Sequence, residues 1–437
     1  MKEVCIGILG FGTVGTGVIE GLYKNQKIIA ERIGIKISIL KIADINISKD
    51  RGIDIPNEIL TTDANSVIFD ESIDIIVELI GGTSIAKDLV EKSLSLGKPV
   101  VTANKALLAE YGDELFKIAQ KNDTGIYYEA SVAGGIPVLR SIQDGLIGNN
   151  INKIYGILNG TCNYIISRME KEGLPFDEVL IEAQKLGYAE TPPDLDIDGI
   201  DTAHKSIILA SMICGTFISL KDCPVNGIRT LSKVDIKNAH DLGYKIKLLS
   251  LIKKTNDDIE ISVEPTLIPK SHLISSVSDS FNAVFIQGDI VGETMFYGRG
   301  AGMLPTASSV IGDIVDAAKD LLNDVGTSVS VKVMIQNKKI NLTSYNKVKK
   351  RCYLRLLLDD SPGSMASVMK IFADNNINVA SVIQKEQHQN GKVPVVILTE
   401  NAFENDYENA VSKINNLDVS NELPIRFRLE DFDNESR

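Results

Sequence analysis

Short apolar runs alternate with amphipathic stretches over the first 130 or so residues of the chain. The apolar runs predict buried strands at residues 4–9, 36–44, 73–79, 99–102 and 125–130. The stretches between them repeat with a helical period and predict helices at residues 14–25, 85–96 and 105–120. Strands that alternate with helices in this way form a parallel α/β sheet, which binds its ligands at the carboxyl ends of the strands.

The pattern changes between residues 135 and 300. Helical periodicity predicts helices at residues 161–171, 177–186 and 199–212. Longer β-rich runs follow at residues 246–253, 259–265 and 284–296. We expect an α+β domain over residues 135–300, in which the helices carry the chemistry and the sheet pairs subunits.

The last quarter of the chain begins with a polar stretch rich in Asn and Lys, which predicts a linker at residues 336–350. Residues 351–437 then follow the order strand, helix, strand, strand, helix, strand, which is the βαββαβ order of a ferredoxin-like unit. The chain is therefore expected to hold a first domain over residues 1–134, completed by a return at about 300–325, a second domain over 135–300 and a third over 351–437.

Composition narrows the class of protein. Of the 437 residues, 46 are Lys or Arg and 58 are Asp or Glu, so the net charge of −12 argues against nucleic acid and anionic membranes as partners. The chain contains no apolar stretch long enough to predict a membrane span. Its five cysteines are scattered without a CxxC pair, which is typical of reduced thiols in a cytoplasmic protein.

A glycine-rich loop separates the first predicted strand from the first predicted helix. Its residues are Gly10, Phe11, Gly12, Thr13, Val14 and Gly15. In this context a GxGxxG loop lets the backbone approach a pyrophosphate at the N-terminus of the helix. The first domain is therefore predicted to be a Rossmann-like dinucleotide-binding domain.

The residues after the second predicted strand are compatible with either nicotinamide cofactor. Asp44 ends that strand and would favour the ribose hydroxyls of NAD. Lys41, Lys49 and Arg51 lie nearby and would suit the 2′-phosphate of NADP. NAD and NADP are both retained.

Seven ordered sequence strings resemble the homoserine dehydrogenase family. They are GFGTVGTGV at residues 10–18, TANKALLA at 102–109, YEASVAGGIPVL at 128–139, ILNGTCNYI at 157–165, EAQKLGYAE at 182–190, DIDGIDTAHK at 196–205 and YGRGAGMLPTASSVIGDI at 297–314. Residues 359–382 resemble an ACT domain, a small module that senses amino acids. One departure is Thr191-Pro192-Pro193 after GYAE, where many members of the family have Ala-Asp-Pro.

The resemblance implies an enzyme that interconverts L-aspartate 4-semialdehyde and L-homoserine with NAD(P)H, on the route to threonine, isoleucine and methionine. It assigns Lys205 as the general acid-base residue and Lys105 as a second active-site lysine, where nicotinamide and substrate meet. The substrate-binding residues it implies are Gly160, Thr161, Tyr188, Glu190, Asp196 and Asp201. The implied cofactor-binding residues are the glycine loop, Thr83, Lys105 and Gly302.

The same resemblance implies further ligands and partners. A monovalent cation, sodium in this family, is expected on the Glu129 carboxylate and the backbone carbonyls of Val132, Gly134 and Ile136. Threonine is the candidate effector of the ACT domain, and the expected assembly is a homodimer or a homotetramer.

Simpler interpretations of the same residues stay open at this point. Lys205 lies four residues after Asp201, which is also the spacing of a surface ion pair on a helix. The ACT domain has the alternative role of strengthening oligomerisation alone. Cys162, beside Thr161, has a redox role as an alternative. The rival functions are another NAD(P)-dependent amino-acid dehydrogenase and a non-enzymatic amino-acid sensor.

Overall fold

The computed structural model describes residues 2–256, 258–323, 334, 340–384, 391–420 and 422–432. The chain divides into two compact units. The first comprises Met1–Leu158, Ala203–Cys223 and Phe281–Ile340, and the second comprises Asn159–Thr202, Pro224–Ser280 and Asn341–Arg437.

The regular elements follow in chain order. The strands are β1 Lys2–Leu9, β2 Ile35–Ala43, β3 Leu60–Thr61, β4 Ile75–Glu78, β5 Val100–Thr102, β6 Ile126–Tyr127, β7 Ile151–Ile157, β8 Tyr244–Thr255, β9 Asp258–Pro269, β10 Phe281–Gly288, β11 Gly292–Arg299, β12 Asn341–Leu342, β13 Lys349–Asp359, β14 Val379–Gln384, β15 Lys392–Thr399, β16 Ala402–Phe403 and β17 Ile425–Leu429. The helices are α1 Thr13–Ile33, α2 Asn65–Ile68, α3 Ser84–Ser95, α4 Lys105–Lys121, α5 Val138–Arg140, α6 Gly160–Glu172, α7 Phe176–Lys185, α8 Asp194–Ile197, α9 Ile200–Cys214, α10 Lys233–Asp241, α11 Met303–Leu322, α12 Ser364–Asp374 and α13 Glu404–Asn415.

The first unit contains a parallel sheet in the order β3-β2-β1-β4-β5-β6. This is the strand order of a dinucleotide-binding fold, so the Rossmann-like prediction is confirmed. The order reverses between β1 and β4, and ligands of doubly wound sheets bind in the crevice at such a switch point. The glycine loop follows β1 and therefore lies at this crevice.

Helix α1 is longer than predicted. The sequence pattern indicated an end at residue 25, but the helix continues to Ile33 because Ile29 and Ile33 keep packing against the core. Gly34 then ends it in the left-handed conformation at φ 71°, and its N–H bonds to the carbonyl of Ala30.

The chain returns to the parallel sheet after residue 300. Val310 and Ile314 of α11 are buried in the same apolar cluster as Val18 of α1 and Ile8 of β1. The preceding run at residues 284–296, predicted as one continuous β segment, is a hairpin of β10 and β11. The turn comprises residues 289–291, and Gly292, which opens β11, has a φ of 72° that side chains rarely adopt.

The second unit combines a long antiparallel pair with the C-terminal βαββαβ unit. Strands β8 and β9 pair from Tyr244 opposite Pro269 to Thr255 opposite Asp258. Strand β13 lies between β15 and β17, and β14 pairs with β15. Strand β17 in turn pairs with β9 in parallel, at Arg428 opposite Thr266. The C-terminal unit therefore shares a sheet with β9.

The predicted linker lies partly outside the described residues, which begin again at residue 340. Its described part is tied to the fold: β12 pairs with β9 in parallel, and β13 already begins at Lys349. Lys350, expected in a solvated connection, is only 3% exposed. Within the described part of the chain, no helix is long and apolar enough to cross a membrane.

Candidate active site

The glycine loop has the backbone that a pyrophosphate site requires. Gly10 has a φ of 105°, and a Cβ built there would lie 2.6 Å from the carbonyl oxygen of Leu79. A Cβ on Gly15 would lie 2.3 Å from the carbonyl oxygen of Gly10. Gly12 precedes the first residue of α1 and faces open space. The loop is thus closely packed on its inner side and open where free helix N–H groups can meet phosphate.

One acidic and one basic side chain lie together beside this loop. The Asp44 carboxylate accepts from the backbone N–H of Phe11 at 2.7 Å and from Arg51 Nη2 at 3.2 Å. The Arg51 guanidinium lies over the Phe11 ring at 4.2 Å and donates to the Phe11 carbonyl. Lys41, by contrast, pairs with Asp70 at 2.8 Å. Arg51 is therefore the cation held beside Asp44.

Glu78 is a buried carboxylate that the sequence pattern did not single out, and it binds the segments that follow β4 and β5. Glu78, at the end of β4, is 0% exposed and accepts from the backbone N–H of Ile80 at 2.7 Å and the hydroxyl of Thr102 at 2.6 Å. The Thr102 oxygen accepts from the N–H of Asn104 at 3.0 Å. Asn104 caps α4, whose first residue is Lys105. Lys105 thus starts a helix whose position depends on this network.

Asn104 also links the Lys105 helix to the loop before Thr83. Its amide group donates to the carbonyls of Ile80 at 3.2 Å and Gly82 at 2.8 Å. Two of the predicted cofactor residues, Thr83 and Lys105, therefore lie at the starts of α3 and α4, and the Asn104 side chain joins the segments before these two helices. Gly302 precedes α11, and a Cβ on Gly17 would meet the backbone of Met303 at 2.8 Å, so the first turn of α11 touches α1 near the glycine loop.

The burial of Glu78 has a consequence for the pH dependence of stability. Burial raises the pKa of Glu78 to about 7 from its ordinary value of 4.5. Between pH 4.5 and pH 7, Glu78 is deprotonated in the unfolded chain but still protonated in the folded chain. The stability that this difference contributes is complete below about pH 4.5 and falls by about 3 kcal/mol as the pH rises through 7. We expect Glu78→Gln to flatten this slope in urea unfolding between about pH 5 and pH 7.5. Glu58→Gln, at an exposed glutamate, should keep the wild-type slope.

The predicted acid-base lysine is buried. Lys205 lies on α9 and is 8% exposed, and its Nζ donates to the carbonyl of Leu158 at 2.7 Å. An exposed ion pair with Asp201 was the simpler interpretation of the spacing. Burial of the amine against a main-chain oxygen disfavours that interpretation, because surface lysines keep their ammonium group in water.

Two of the predicted substrate carboxylates converge in the second unit. The side-chain nitrogen of Asn159 donates to Asp196 at 2.8 Å and to Asp201 at 2.9 Å. The other end of the same amide caps α6 by accepting from the backbone N–H of Cys162 at 2.7 Å. Asn159 was not among the predicted residues, although its position just before a predicted helix is a recognisable capping signal.

The remaining predicted substrate residues are Gly160 and Thr161 at the start of α6, and Tyr188 and Glu190 after α7. Thr161, in the first turn of α6 after Gly160, donates its hydroxyl to the carbonyl of Tyr188 at 2.5 Å. Tyr188 is half exposed and stacks near Tyr164 at 4.7 Å between ring centroids. Glu190 is exposed, and its backbone carbonyl accepts from Gln184 at 3.2 Å. The main chain of Glu190 is therefore tied to α7, on which Gln184 lies.

Glu129 lies in a buried acidic pair. Its carboxylate accepts from the N–H groups of Leu139 at 2.9 Å and Arg140 at 2.7 Å, and its own N–H donates to Asp313 at 2.8 Å. Burial raises the pKa of Glu129 to about 7. Burial, reinforced by the Glu129 charge, also raises the pKa of Asp313 well above its ordinary value. Asp313 was missed because its partner is 184 residues away in sequence.

Two of the three carbonyls predicted to accompany Glu129 accept a hydrogen bond in the described part of the chain. The carbonyl of Gly134 accepts from the Ser309 hydroxyl at 2.6 Å, and that of Ile136 accepts from the N–H of Val138 at 2.8 Å. A carbonyl oxygen has two lone pairs, so each keeps one for a further interaction. These oxygens, with that of Val132, are of the kind that a hard cation requires.

Family models match most of the chain. The NAD-binding domain of homoserine dehydrogenase matches residues 10–129, the homoserine dehydrogenase domain matches 137–315, and an ACT domain matches 353–419. Together with the parallel sheet and the buried lysine, these matches define an NAD-binding oxidoreductase with a C-terminal ACT domain.

The similarity extends over the full length of known relatives. The homoserine dehydrogenase of Neisseria gonorrhoeae is 40% identical over 98% of this chain and 99% of its own, and that of Bacillus subtilis is 38% identical over the same shares. The crystal structure of a homoserine dehydrogenase from Thiobacillus denitrificans has a TM-score of 0.93 at 40% identity and covers 99% of each chain. The chain belongs to the homoserine dehydrogenase family. A hyperthermophilic archaeal homoserine dehydrogenase solved in complex with NADPH is similar over 73% of the chain, at a TM-score of 0.60 and 26% identity.

Proposed function

We propose that this chain catalyses the reversible reduction of L-aspartate 4-semialdehyde to L-homoserine. The observation that carries the proposal is Lys205, a buried lysine on α9 in a chain whose first unit has the dinucleotide-binding strand order. A bound NADPH or NADH supplies the hydride. What this chain must supply is a proton for the alkoxide that develops on the substrate, and fixed positions for the two charged ends of an amino acid.

Lys205 is the proposed proton donor in the direction of reduction and the base in the reverse direction. A positioned acid-base group typically contributes a factor of about 10²–10⁴ to the rate. Its hydrogen bond to the Leu158 carbonyl fixes the position of the amine, which is the condition for such a contribution. Lys105 is the proposed second lysine, placed by the cap that Asn104 makes on α4.

The substrate's charged ends are assigned to the second unit. Asp196 and Asp201, drawn together by Asn159, and the exposed Glu190 are proposed to bind the ammonium group. The backbone N–H groups of Gly160 and Thr161, in the first turn of α6, are proposed to bind the carboxylate, because free N–H groups at a helix N-terminus favour an anion. The Thr161 hydroxyl, which donates to the Tyr188 carbonyl, would fix the loop beside this carboxylate. The two ends of an amino acid thus meet opposite charges.

A monovalent cation, with sodium as the candidate, is proposed at Glu129, Val132, Gly134 and Ile136. The support is the donor chemistry: one buried carboxylate and carbonyl oxygens that each keep a free lone pair. A cation there would offset the charge of two buried acids, Glu129 and Asp313, and would brace the turn at residues 129–136.

The reaction is tested by following NADPH and NADH oxidation at 340 nm with L-aspartate 4-semialdehyde. We expect saturable activity with at least one of the two nucleotides and none with the 2-oxo acids that amino-acid dehydrogenases aminate. Activity with a 2-oxo acid and ammonia instead would establish the rival enzyme class. Tight nucleotide binding without turnover of either substrate would establish a sensor.

Arg51 provides a test of the preferred nucleotide. We propose that the 2′-phosphate of NADP meets the Arg51 guanidinium, which is held by Asp44 and the Phe11 ring. Charge-assisted hydrogen bonds are worth about 1.5–3 kcal/mol, so Arg51→Ala should raise the KM for NADPH about 10- to 100-fold and change that for NADH far less. Lys27→Ala, at an exposed lysine on α1 that pairs with Glu31, is the matched control. Equal effects of Arg51→Ala on both nucleotides would contradict the assignment.

We further propose feedback inhibition by threonine through the ACT domain, in a cytoplasmic homodimer or homotetramer. The turn before α12 supports a ligand at this domain: Gly363 has a φ of 97°, and Ser361 and Ser364 share a hydrogen bond at 2.8 Å. None of the five cysteines forms a disulfide in the described part of the chain, which is consistent with the cytoplasm.

Threonine inhibition is tested on the full-length enzyme. We expect millimolar threonine to lower activity, with serine at the same concentration as the control. Gly363→Ala strains a backbone that side chains rarely adopt and should raise the threonine concentration for half inhibition at least tenfold. Full activity of the wild type in threonine, together with dissociation of the oligomer when the ACT domain is altered, would favour the purely oligomerising role.

A further inference from the structure

A small cavity in the second unit has a wall of charged side chains that the proposed reaction does not use. Its volume is about 130 Å³. The loop after residue 223 and strands β9, β13 and β17 surround it. Its lining residues are Asn226, Gly227, Thr230, Glu264, Pro265, Lys350, Cys352, Arg426, Phe427 and Arg428. Asn226 and Thr230 are exposed and form the mouth, whereas Lys350 and Arg428 are buried at the base.

All three cations in this wall take part in ion pairs. The Nζ of Lys350 lies 2.8 Å from Glu264 and 3.2 Å from Glu404, and it donates to the Tyr345 hydroxyl at 2.8 Å. Arg426 pairs with both carboxylate oxygens of Glu404. These contacts fix the cations in place around the cavity.

The third cation has an unused donor. Arg428 is 1% exposed, and its Nε donates to Glu430 at 2.9 Å, while Nη1 donates to Glu260 at 2.6 Å and Glu264 at 3.3 Å. Its Nη2 has no hydrogen-bond partner in the described part of the chain. Native proteins seldom leave a buried charged donor unsatisfied, so the adjoining cavity is where an acceptor is to be expected.

We propose that this cavity binds a small oxyanion, either a carboxylate such as acetate or inorganic phosphate. Three cations line it against one carboxylate, Glu264, because the other acids of the network are not among the lining residues. A guanidinium nitrogen bonds best to the oxygen of a carboxylate or phosphate. The Thr230 hydroxyl and the Asn226 amide add donors at the mouth.

Size limits the ligand. A water molecule takes about 30 Å³ of liquid volume, so the cavity has room for about four waters or for one anion of four to five heavy atoms. A nucleotide or dinucleotide is far too large. The cavity adjoins both β9 and the ACT-domain strands β13 and β17, so a bound anion would stabilise the packing between them.

The test is isothermal titration calorimetry of the full-length chain saturated with NADPH, which occupies the phosphate-binding glycine loop. Sodium phosphate and sodium acetate are titrated separately, with sodium chloride keeping the ionic strength constant. We expect one saturable site per chain for at least one of these anions. The anion that binds more tightly shows whether the cavity prefers a carboxylate or phosphate. Heat no greater than that of the chloride blank for both anions would overturn the proposal and leave the cavity to water.

Three variants locate the site. Thr230→Val keeps the shape of the mouth but removes a donor, and it should weaken binding about tenfold. Arg428→Lys keeps the charge, removes the unused nitrogen and should abolish binding if the variant folds. Thr255→Val, at an exposed threonine outside the cavity, should titrate like the wild type. An unchanged dissociation constant in Thr230→Val would place the anion elsewhere and overturn the proposal whether or not Arg428→Lys folds.

Discussion

Replacing Lys205 with alanine is expected to lower kcat about 10²- to 10⁴-fold, the usual contribution of a general acid-base residue. The residue is 8% exposed and held against the Leu158 carbonyl, so its amine has a fixed place and no surface role. The KM for aspartate semialdehyde should change much less, because the ammonium and carboxylate contacts are assigned to other residues. Stopped-flow or steady-state NADPH oxidation measures both constants.

Two further variants separate proton transfer from simple charge. Lys205→Arg keeps a positive charge but cannot release a proton at working pH, so it should stay as inactive as the alanine variant. Recovery of activity in Lys205→Arg would reduce the residue to an electrostatic role. Lys237→Ala, at an exposed lysine on α10, controls for the loss of a helical lysine and should retain full rate. A rate for Lys205→Ala within tenfold of wild type would refute the catalytic assignment.

The second large effect is expected for Arg428→Met, which should lower the free energy of unfolding by about 3–5 kcal/mol. That is the typical cost of removing one partner from a buried ion-pair network. Glu260, Glu264 and Glu430 would each lose a cation, although Glu264 keeps Lys350 and Glu430 keeps Lys253. Urea unfolding measures the difference. Lys370→Met, at an exposed pair with Asp374, should cost less than about 1 kcal/mol.

The same network makes the wild type sensitive to acid. Burial alone would raise the pKa of Glu264, but Lys350 and Arg428 lower it to about 2, and Arg428 with Lys253 does the same for Glu430. Because the folded pKa lies below the unfolded value of 4.5, this stability is present above pH 4.5 and is lost as the pH falls toward 2. Arg428→Met should flatten that loss. An equal acid dependence in both proteins would contradict this account.

The sequence was informative where the relevant contacts are local. The glycine loop follows a strand and opens a helix within six residues, so its role could be predicted from spacing alone. The parallel sheet follows from the alternation of strands and helices, and the βαββαβ order of the C-terminal unit was equally visible. Lys205 needed the family resemblance, because a Lys four residues after an Asp is common on surface helices.

The contacts that could not be predicted join residues far apart in sequence. Glu78 on β4 accepts a hydrogen bond from Thr102 on the neighbouring strand β5, and Asn159 donates to Asp196 on α8 and Asp201 on α9. Glu78 does not stand out by type or period, and the capping signal at Asn159 does not reveal that its amide binds two acids. The pairing of β17 with β9 was also invisible, since a polar stretch at residues 336–350 suggested separate domains. Only the fold shows that Lys350, at the end of that stretch, neutralises a buried glutamate.

The pairing of β17 with β9 changes how experiments on regulation should be designed. Deleting the residues after 350 would remove Arg428 and leave Glu260 and Glu264 on β9 without that counter-charge. Loss of activity in such a truncation would then report misfolding rather than a regulatory role. Single substitutions at the turn before α12 avoid this problem because they leave the shared sheet intact.

The junction of β9 and β17 also sets the order of events during synthesis. Glu264 is made 164 residues before Arg428, which at 5–20 residues per second is a wait of about 10–30 s. Throughout that time strand β9 of the nascent chain has β8 as a partner, but the strand that pairs with its other edge near Glu264 does not yet exist. Strand β17 therefore completes a sheet begun in the middle of the chain, and a stop codon before it would cost the cell folded protein as well as an intact ACT domain.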